Sequence, residues 1–244
     1  MGRAEKVREC STLERGCAQL GVDLPARATE RLLAHLALLE RWNRRVNLTA
    51  VRGIDAMVVR HLLDSLSIAR FVRGESLLDI GSGAGFPGLP LAVVAPHLQV
   101  ALLDSRLRRV EFLRAACAEL QLDNVEVVHA RVEEYRPARK FDTLAARAFA
   151  PLPRTLQLTA GLRRPGVRLL AMKGRMPAAE IAAVDGGAGA AGNADGAGAD
   201  GAAANAQSIA ADSTVAKTVT AAITVQRLTV PFLRAERHLI IAAF

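Results

Sequence analysis

Apolar residues recur at helical spacing through residues 4–72. Leu32, Leu33, Leu36, Leu39 and Trp42 fall on one face, with Pro25 placed to open a helix, and Val58, Leu62, Leu66 and Ala69 repeat the pattern. From Ser76 the rhythm changes to short apolar runs, Leu77–Ile80, Val100–Asp104, Val125–His129, Phe141–Ala145 and Val167–Met172. Helical stretches at Leu89–Val94, Arg106–Leu120 and Leu152–Leu162 separate them. This alternation predicts an α/β fold around a mostly parallel, doubly wound sheet. The runs Thr220–Val230 and His238–Ala243 read as an antiparallel pair at its edge. The division expected is a helical cap over residues 1–72 and an α/β domain over 73–244. Within the latter, about 185–213 is a Gly/Ala-rich insert too poor in large apolar residues to offset the entropy of ordering.

The length of 244 residues fits such a domain and its appendage, not two full domains. Charge adds a partner. Lys and Arg number 32 against 24 acids, and Met176–Ala216 holds five of those acids and no base, leaving 32 against 19, a net of +13, on the rest. That excess suits a polyanion, nucleic acid before membrane, although an Arg-rich soluble surface would look similar. Cys10, Cys17 and Cys117 show neither CxxC spacing nor a His partner, which predicts no disulfide framework and no metal site. The charged first twenty residues and the lack of a long apolar run predict a cytoplasmic protein without membrane attachment.

Between the first predicted strand and the next helix lies Asp79-Ile80-Gly81-Ser82-Gly83-Ala84-Gly85. Gly81, Gly83 and Gly85 allow close backbone approach to a ligand. The frame Gly83–Gly88 also satisfies GxGxxG, so a nicotinamide dinucleotide is one candidate. Asp79 argues against it. A carboxylate beside the loop would repel pyrophosphate, whereas S-adenosylmethionine brings an ammonium, a sulfonium and no phosphate. Asp104, at the end of the second strand, is placed to accept both ribose hydroxyls of either cofactor. The plain alternative is that both acids only cap loops.

These residues resemble a known family, the bacterial glucose-inhibited division protein B or RsmG family of small-subunit ribosomal RNA methyltransferases. The similarity is carried by Arg41-Trp42-Asn43 with Val46-Asn47-Leu48-Thr49, Arg60 through Ser65, Asp79 through Gly88, and Leu103-Asp104-Ser105. It continues through Arg131 to Glu134, Arg147 to Ala150, Met172-Lys173-Gly174 and Glu236-Arg237-His238. The resemblance implies a class I methyltransferase fold, Rossmann-like with seven strands and an N-terminal helical cap. It implies S-adenosylmethionine as cofactor, methyl transfer to N7 of one guanine in 16S ribosomal RNA, and Gly81, Phe86, Asp104, Ser105, Val132, Glu133 and Arg147 around the cofactor. The Gly/Ala insert is longer than the family pattern needs.

Other residues admit two readings. Val132 and Glu133, just after the third strand, suit an adenine contact or an ordinary helix start. Arg147 ends the fourth strand, and a fork onto guanine O6 and N7 would mask the atom to be methylated, so cofactor or phosphate is the reading taken. Arg60, His61 and Lys173 are RNA-binding candidates, with packing plus one hydrogen bond the alternative for His61 and a solvated strand end for Lys173. Arg41, Arg44, Arg45, Arg106, Arg108 and Arg109 would grip RNA or merely form solvated faces. The expected protein is a monomer acting on 16S RNA or a small-subunit particle, without a general base. A nicotinamide-dependent oxidoreductase and a non-catalytic RNA-binding factor are the alternatives.

Overall fold

The computed structural model describes residues 3–187 and 221–244. Helices α1 (Arg3–Leu20) and α2 (Ala28–Asn43) precede a composite helix. In it α3 (Ile54–Met57) passes through a π-helical turn, Val58–Leu63, into α4 (Asp64–Leu66). Pro25 lies in the turn before α2 and not in its first turn: its carbonyl accepts from Ala28 N–H at 2.9 Å, and Arg27 takes a left-handed φ of 64°.

Strands β1 (Ser76–Ile80), β2 (Gln99–Asp104), β3 (Val125–His129), β4 (Thr143–Arg147) and β5 (Arg168–Lys173) are mutually parallel where they pair. Helices α5 (Gly88–Val94), α6 (Leu107–Leu120) and α7 (Leu152–Leu158) connect them. After α8 (Ala178–Gly187), strands β6 (Ala222–Leu228) and β7 (Arg237–Ala243) complete the order β3-β2-β1-β4-β5-β7-β6, with β7 antiparallel to both neighbours. The expected edge pair is thus present.

Strands buried on both faces read as continuous apolar runs, because neighbouring side chains point to opposite sides. Leu77, Val100 and Leu102 join the core shared with Leu36, Leu39, Leu62 and Phe112, which binds the N-terminal helices to one face. Leu78, Ala101, Leu103 and Leu144 pack on the other.

Several expected boundaries shift. β4 begins at Thr143, not Phe141, and Asp142 brackets the strand entry: its Oδ2 accepts from the backbone N–H groups of Glu75 and Ser76 and from Ser76 Oγ. The stretch Leu152–Leu162 splits into α7 and a 3₁₀ turn at Ala160–Leu162. Helix α8 runs to Gly187, into the stretch read as an insert, whose remainder lies outside the described residues.

Candidate active site

The winding of the sheet reverses between β1 and β4, and open α/β folds bind ligands at the carboxyl ends of strands flanking such a point. A cleft of about 460 Å³ opens there. Of the anticipated cofactor residues, Gly81, Asp104, Ser105, Val132 and Glu133 line it, joined by Phe149. A recess of about 270 Å³ shares Val132, Glu133 and Arg154 with the cleft.

Asp104 is buried in this wall. Its Oδ2 accepts from Gly83 N–H and its Oδ1 from Arg106 N–H, both at 2.9 Å, while Arg109 Nη1 stands 3.4 Å from Oδ2. A carboxylate has roughly four acceptor sites, two on each oxygen, and these three donors leave one open on Oδ1 for a ribose hydroxyl, with the second on Oδ2 once the long Arg109 contact yields. Gly81 adopts φ +69°, and a Cβ there would lie 2.7 Å from the Phe149 ring. Bare backbone at this position therefore lets β1 end against both Phe149 and the cleft.

Asp79 sits beneath the loop and not in the cleft wall. Fully buried, its Oδ2 accepts from Gly88 N–H at 2.9 Å, and a Cβ on Gly88 would lie 2.8 Å from that oxygen. Its Oδ1 is buried without a hydrogen-bond partner among the described residues. Burial pushes the carboxyl pKa up to about 7, against the pull of Gly88 N–H and Arg147. Asp79 thus ties the loop to the start of α5, and the repulsion of pyrophosphate argued from a carboxylate beside the loop applies only through the protein. Gly85 likewise packs inward, on Leu89.

Phe86 and Arg147 belong to a packed column between the loop and the N-terminal helices. The Phe86 ring stacks on His61 at 4.7 Å between centroids and meets His35 tilted at 4.8 Å, and the Arg147 guanidinium lies over it at 5.1 Å. Arg147 Nη1 donates to Asp64 Oδ2 at 3.1 Å and to Arg60 O at 3.3 Å; Arg237 Nε donates to Asp64 Oδ1 at 2.7 Å. His61 is buried with Nε2 2.8 Å from Thr49 Oγ1. Burial, aided by the Arg147 charge, lowers its pKa to about 3, so the ring is neutral.

Among the RNA candidates, the Arg60 side chain is exposed. Lys173 is engaged, donating to Ala150 O at 3.0 Å and to Glu180 Oε2 at 2.6 Å. Arg41 pairs with Glu119. His35, Asp64 and Arg237 had no role assigned from the sequence, since their partners lie 49, 83 and 173 residues away.

The profile of the family described as GidB, rRNA small subunit methyltransferase G, matches residues 28–190. The chain belongs to this family. It is 52% identical over 165 residues to the ribosomal RNA small subunit methyltransferase G of Methylobacillus flagellatus, covering 68% of this chain and 80% of that one. To the protein of the same name from Chromohalobacter salexigens it is 53% identical over 167 residues, with coverage again of 68% and 80%. A solved S-adenosylmethionine-dependent methyltransferase from Aquifex aeolicus aligns with TM-score 0.48 and 17% identity, over 74% of this chain and 89% of that one. Membership of the methyltransferase G family settles the cofactor left open by the glycine loop as S-adenosylmethionine, and the nicotinamide alternative falls. The sheet, with its antiparallel β7, is that of class I methyltransferases, carrying the N-terminal helical cap.

Proposed function

We propose that this protein transfers a methyl group from S-adenosylmethionine to N7 of a guanine in 16S ribosomal RNA, as a cytoplasmic monomer acting on the RNA or on a small-subunit particle. Family membership supports the substrate class, and one structural observation carries the site: the buried Asp104 carboxylate, at the end of β2 in the cleft wall, beside the Gly81–Gly85 loop. Among the described residues no helix is long and apolar enough to cross a membrane.

When bound, the cofactor supplies an electrophilic methyl group on a sulfonium. Asp104 would accept from the ribose hydroxyls, Val132 would face the adenine beside Glu133, and the bare backbone of Gly81 leaves room at the end of β1. Arg106, Arg109, Arg131 and Arg154 edge the same cleft and present positive charge to phosphates. Guanine N7, which bears no proton, would form its bond to the methyl carbon in line with the breaking S–C bond, the neutral thioether leaving as the positive charge passes to the purine, so alignment is the main demand on the protein.

Tritium transfer from labelled cofactor to small-subunit RNA and to particles tests this, followed by borohydride reduction and aniline scission of the chain at N7-methylguanine. Label at another base atom would refute the N7 reading. Cofactor binding with no transfer to either substrate would favour the non-catalytic alternative.

A further inference from the structure

The N-terminal helices reach the glycine loop through His35. This α2 residue is fully buried, and its Nε2 lies 2.9 Å from the carbonyl oxygen of Ala84, between the two glycines Gly83 and Gly85. A carbonyl only accepts, so Nε2 carries the proton and donates. The ring is neutral, as burial has pushed its pKa down to about 4. Nδ1 is then a bare acceptor, buried without a hydrogen-bond partner among the described residues, and the imidazole centroid lies 4.8 and 6.0 Å from those of the Phe86 and Phe112 rings.

An orphaned buried acceptor is destabilising. Leucine would fill this apolar layer without one. What imidazole adds is the donor to Ala84, and Ala84 lies where the loop most needs a second support. The turn is closed from within by Gly85 N–H and Phe86 N–H on Ser82 O, at 2.8 and 3.1 Å, and gripped on its cleft side by Asp104 through Gly83 N–H. Gly83 and Gly85 both sit at positive φ, which leaves the backbone between them conformationally permissive.

We propose that His35 is a positioning residue that clamps the cofactor loop from the cap by donating Nε2–H to Ala84, so that cofactor affinity is set partly by a helix outside the methyltransferase sheet. This rests on the cleft being the cofactor site.

The test compares the full-length wild-type chain with His35→Leu, His35→Gln and Leu36→Ala, by calorimetric titration with S-adenosylmethionine and by hydrogen exchange at the Gly85 and Phe86 amides. His35→Leu should weaken binding about tenfold and speed exchange at both amides. Glutamine keeps an N–H at a like distance from the backbone and should stay within about threefold of wild type. Leu36→Ala, fully buried on the same helix, should lower the melting temperature and move neither readout. Wild-type behaviour in His35→Leu, equal effects in Leu36→Ala, or no rescue by glutamine would each overturn the proposal. If His35→Leu fails to fold, His35→Asn, whose amide falls short of Ala84, takes its place with the same expected loss. A wild-type protein that binds no cofactor would remove the cofactor reading, and the exchange comparison would still decide whether His35 holds the loop.

Discussion

Asp64 and Arg147 meet at 3.1 Å across 83 residues of sequence, and the other Asp64 oxygen holds Arg237 at 2.7 Å. One carboxylate thereby joins the composite cap helix to the ends of β4 and β7. Both arginine side chains are about a fifth exposed while Asp64 is 5% exposed, so the acid is the buried member of the triad. Asp64→Ala would leave two poorly solvated guanidiniums unpaired and is expected to destabilise the fold by about 3 kcal/mol. Urea denaturation measures this. A loss below about 0.5 kcal/mol would mean that solvent screens the triad as it does surface pairs.

Asp104→Ala is expected to weaken cofactor binding by roughly 1.5–3 kcal/mol for each charged hydrogen bond lost. The effect should exceed that of losing ribose contacts alone, because Gly83 N–H loses its acceptor as well. Titration calorimetry decides, and unchanged affinity would take Asp104 out of the site.

What local pattern controls was legible before the structure. β1 and β2 follow from apolar runs that fill both sheet faces, the edge strand β3 from a shorter, half-buried valine run, and the Asp79–Asp104 spacing from β-strand, turn, helix and strand in succession. Local pattern carries no information on which residues meet over long distances. Arg147 shares a strand end with the cleft, yet Asp64 turns it toward the cap; Phe86 is in the loop, yet His35 and His61 bury its ring. The π-helical turn that presents Arg60 O and His61 is invisible in an apolar period that reads the same for an α-helix. At the entry of β4, Asp142, polar and unremarkable in sequence, ties the strand to Glu75 and Ser76 through its carboxylate, contacts across 67 and 66 residues that the local pattern does not carry.

Stability should fall on acidification below about pH 6.5. His61 and His35 have folded-state pKa values lowered to about 3 and about 4 from 6.5, so each contributes stability that is complete above 6.5 and lost as pH drops toward the folded value. Asp79 acts oppositely: raised to about 7 from 3.8, its contribution is complete below 3.8 and lost as pH rises through 7. Two protons taken up on unfolding against one released leave a net of one between these limits. The expected slope is about 1.4 kcal/mol per pH unit. Urea midpoints across that range should show it, flattened in His61→Gln and roughly doubled in Asp79→Asn. Equal slopes in all three proteins would contradict the assignment.

The rate of methyl transfer should be nearly independent of pH, and the reason lies in the acceptor. Guanine N7 bears an in-plane lone pair and no proton at neutral pH, so no side chain has to remove one during attack. His61 is unsuited to that task in any case: burial lowers its pKa to about 3 and so makes it a weak base, its Nε2 is engaged with Thr49, and its face is stacked on Phe86. Barrier lowering is left to alignment and to a pocket that tolerates cationic charge arising on the purine. Single-turnover rates between about pH 6.5 and 8.5, with cofactor and RNA saturating, should therefore be flat; saturation removes any influence that Asp79 has on affinity as it titrates near pH 7. His61→Ala should lower or preserve the absolute rate without bending the profile. A unit-slope rise in the wild type that disappears in His61→Ala would place a base in the transition state and would count against N7 as the site of transfer.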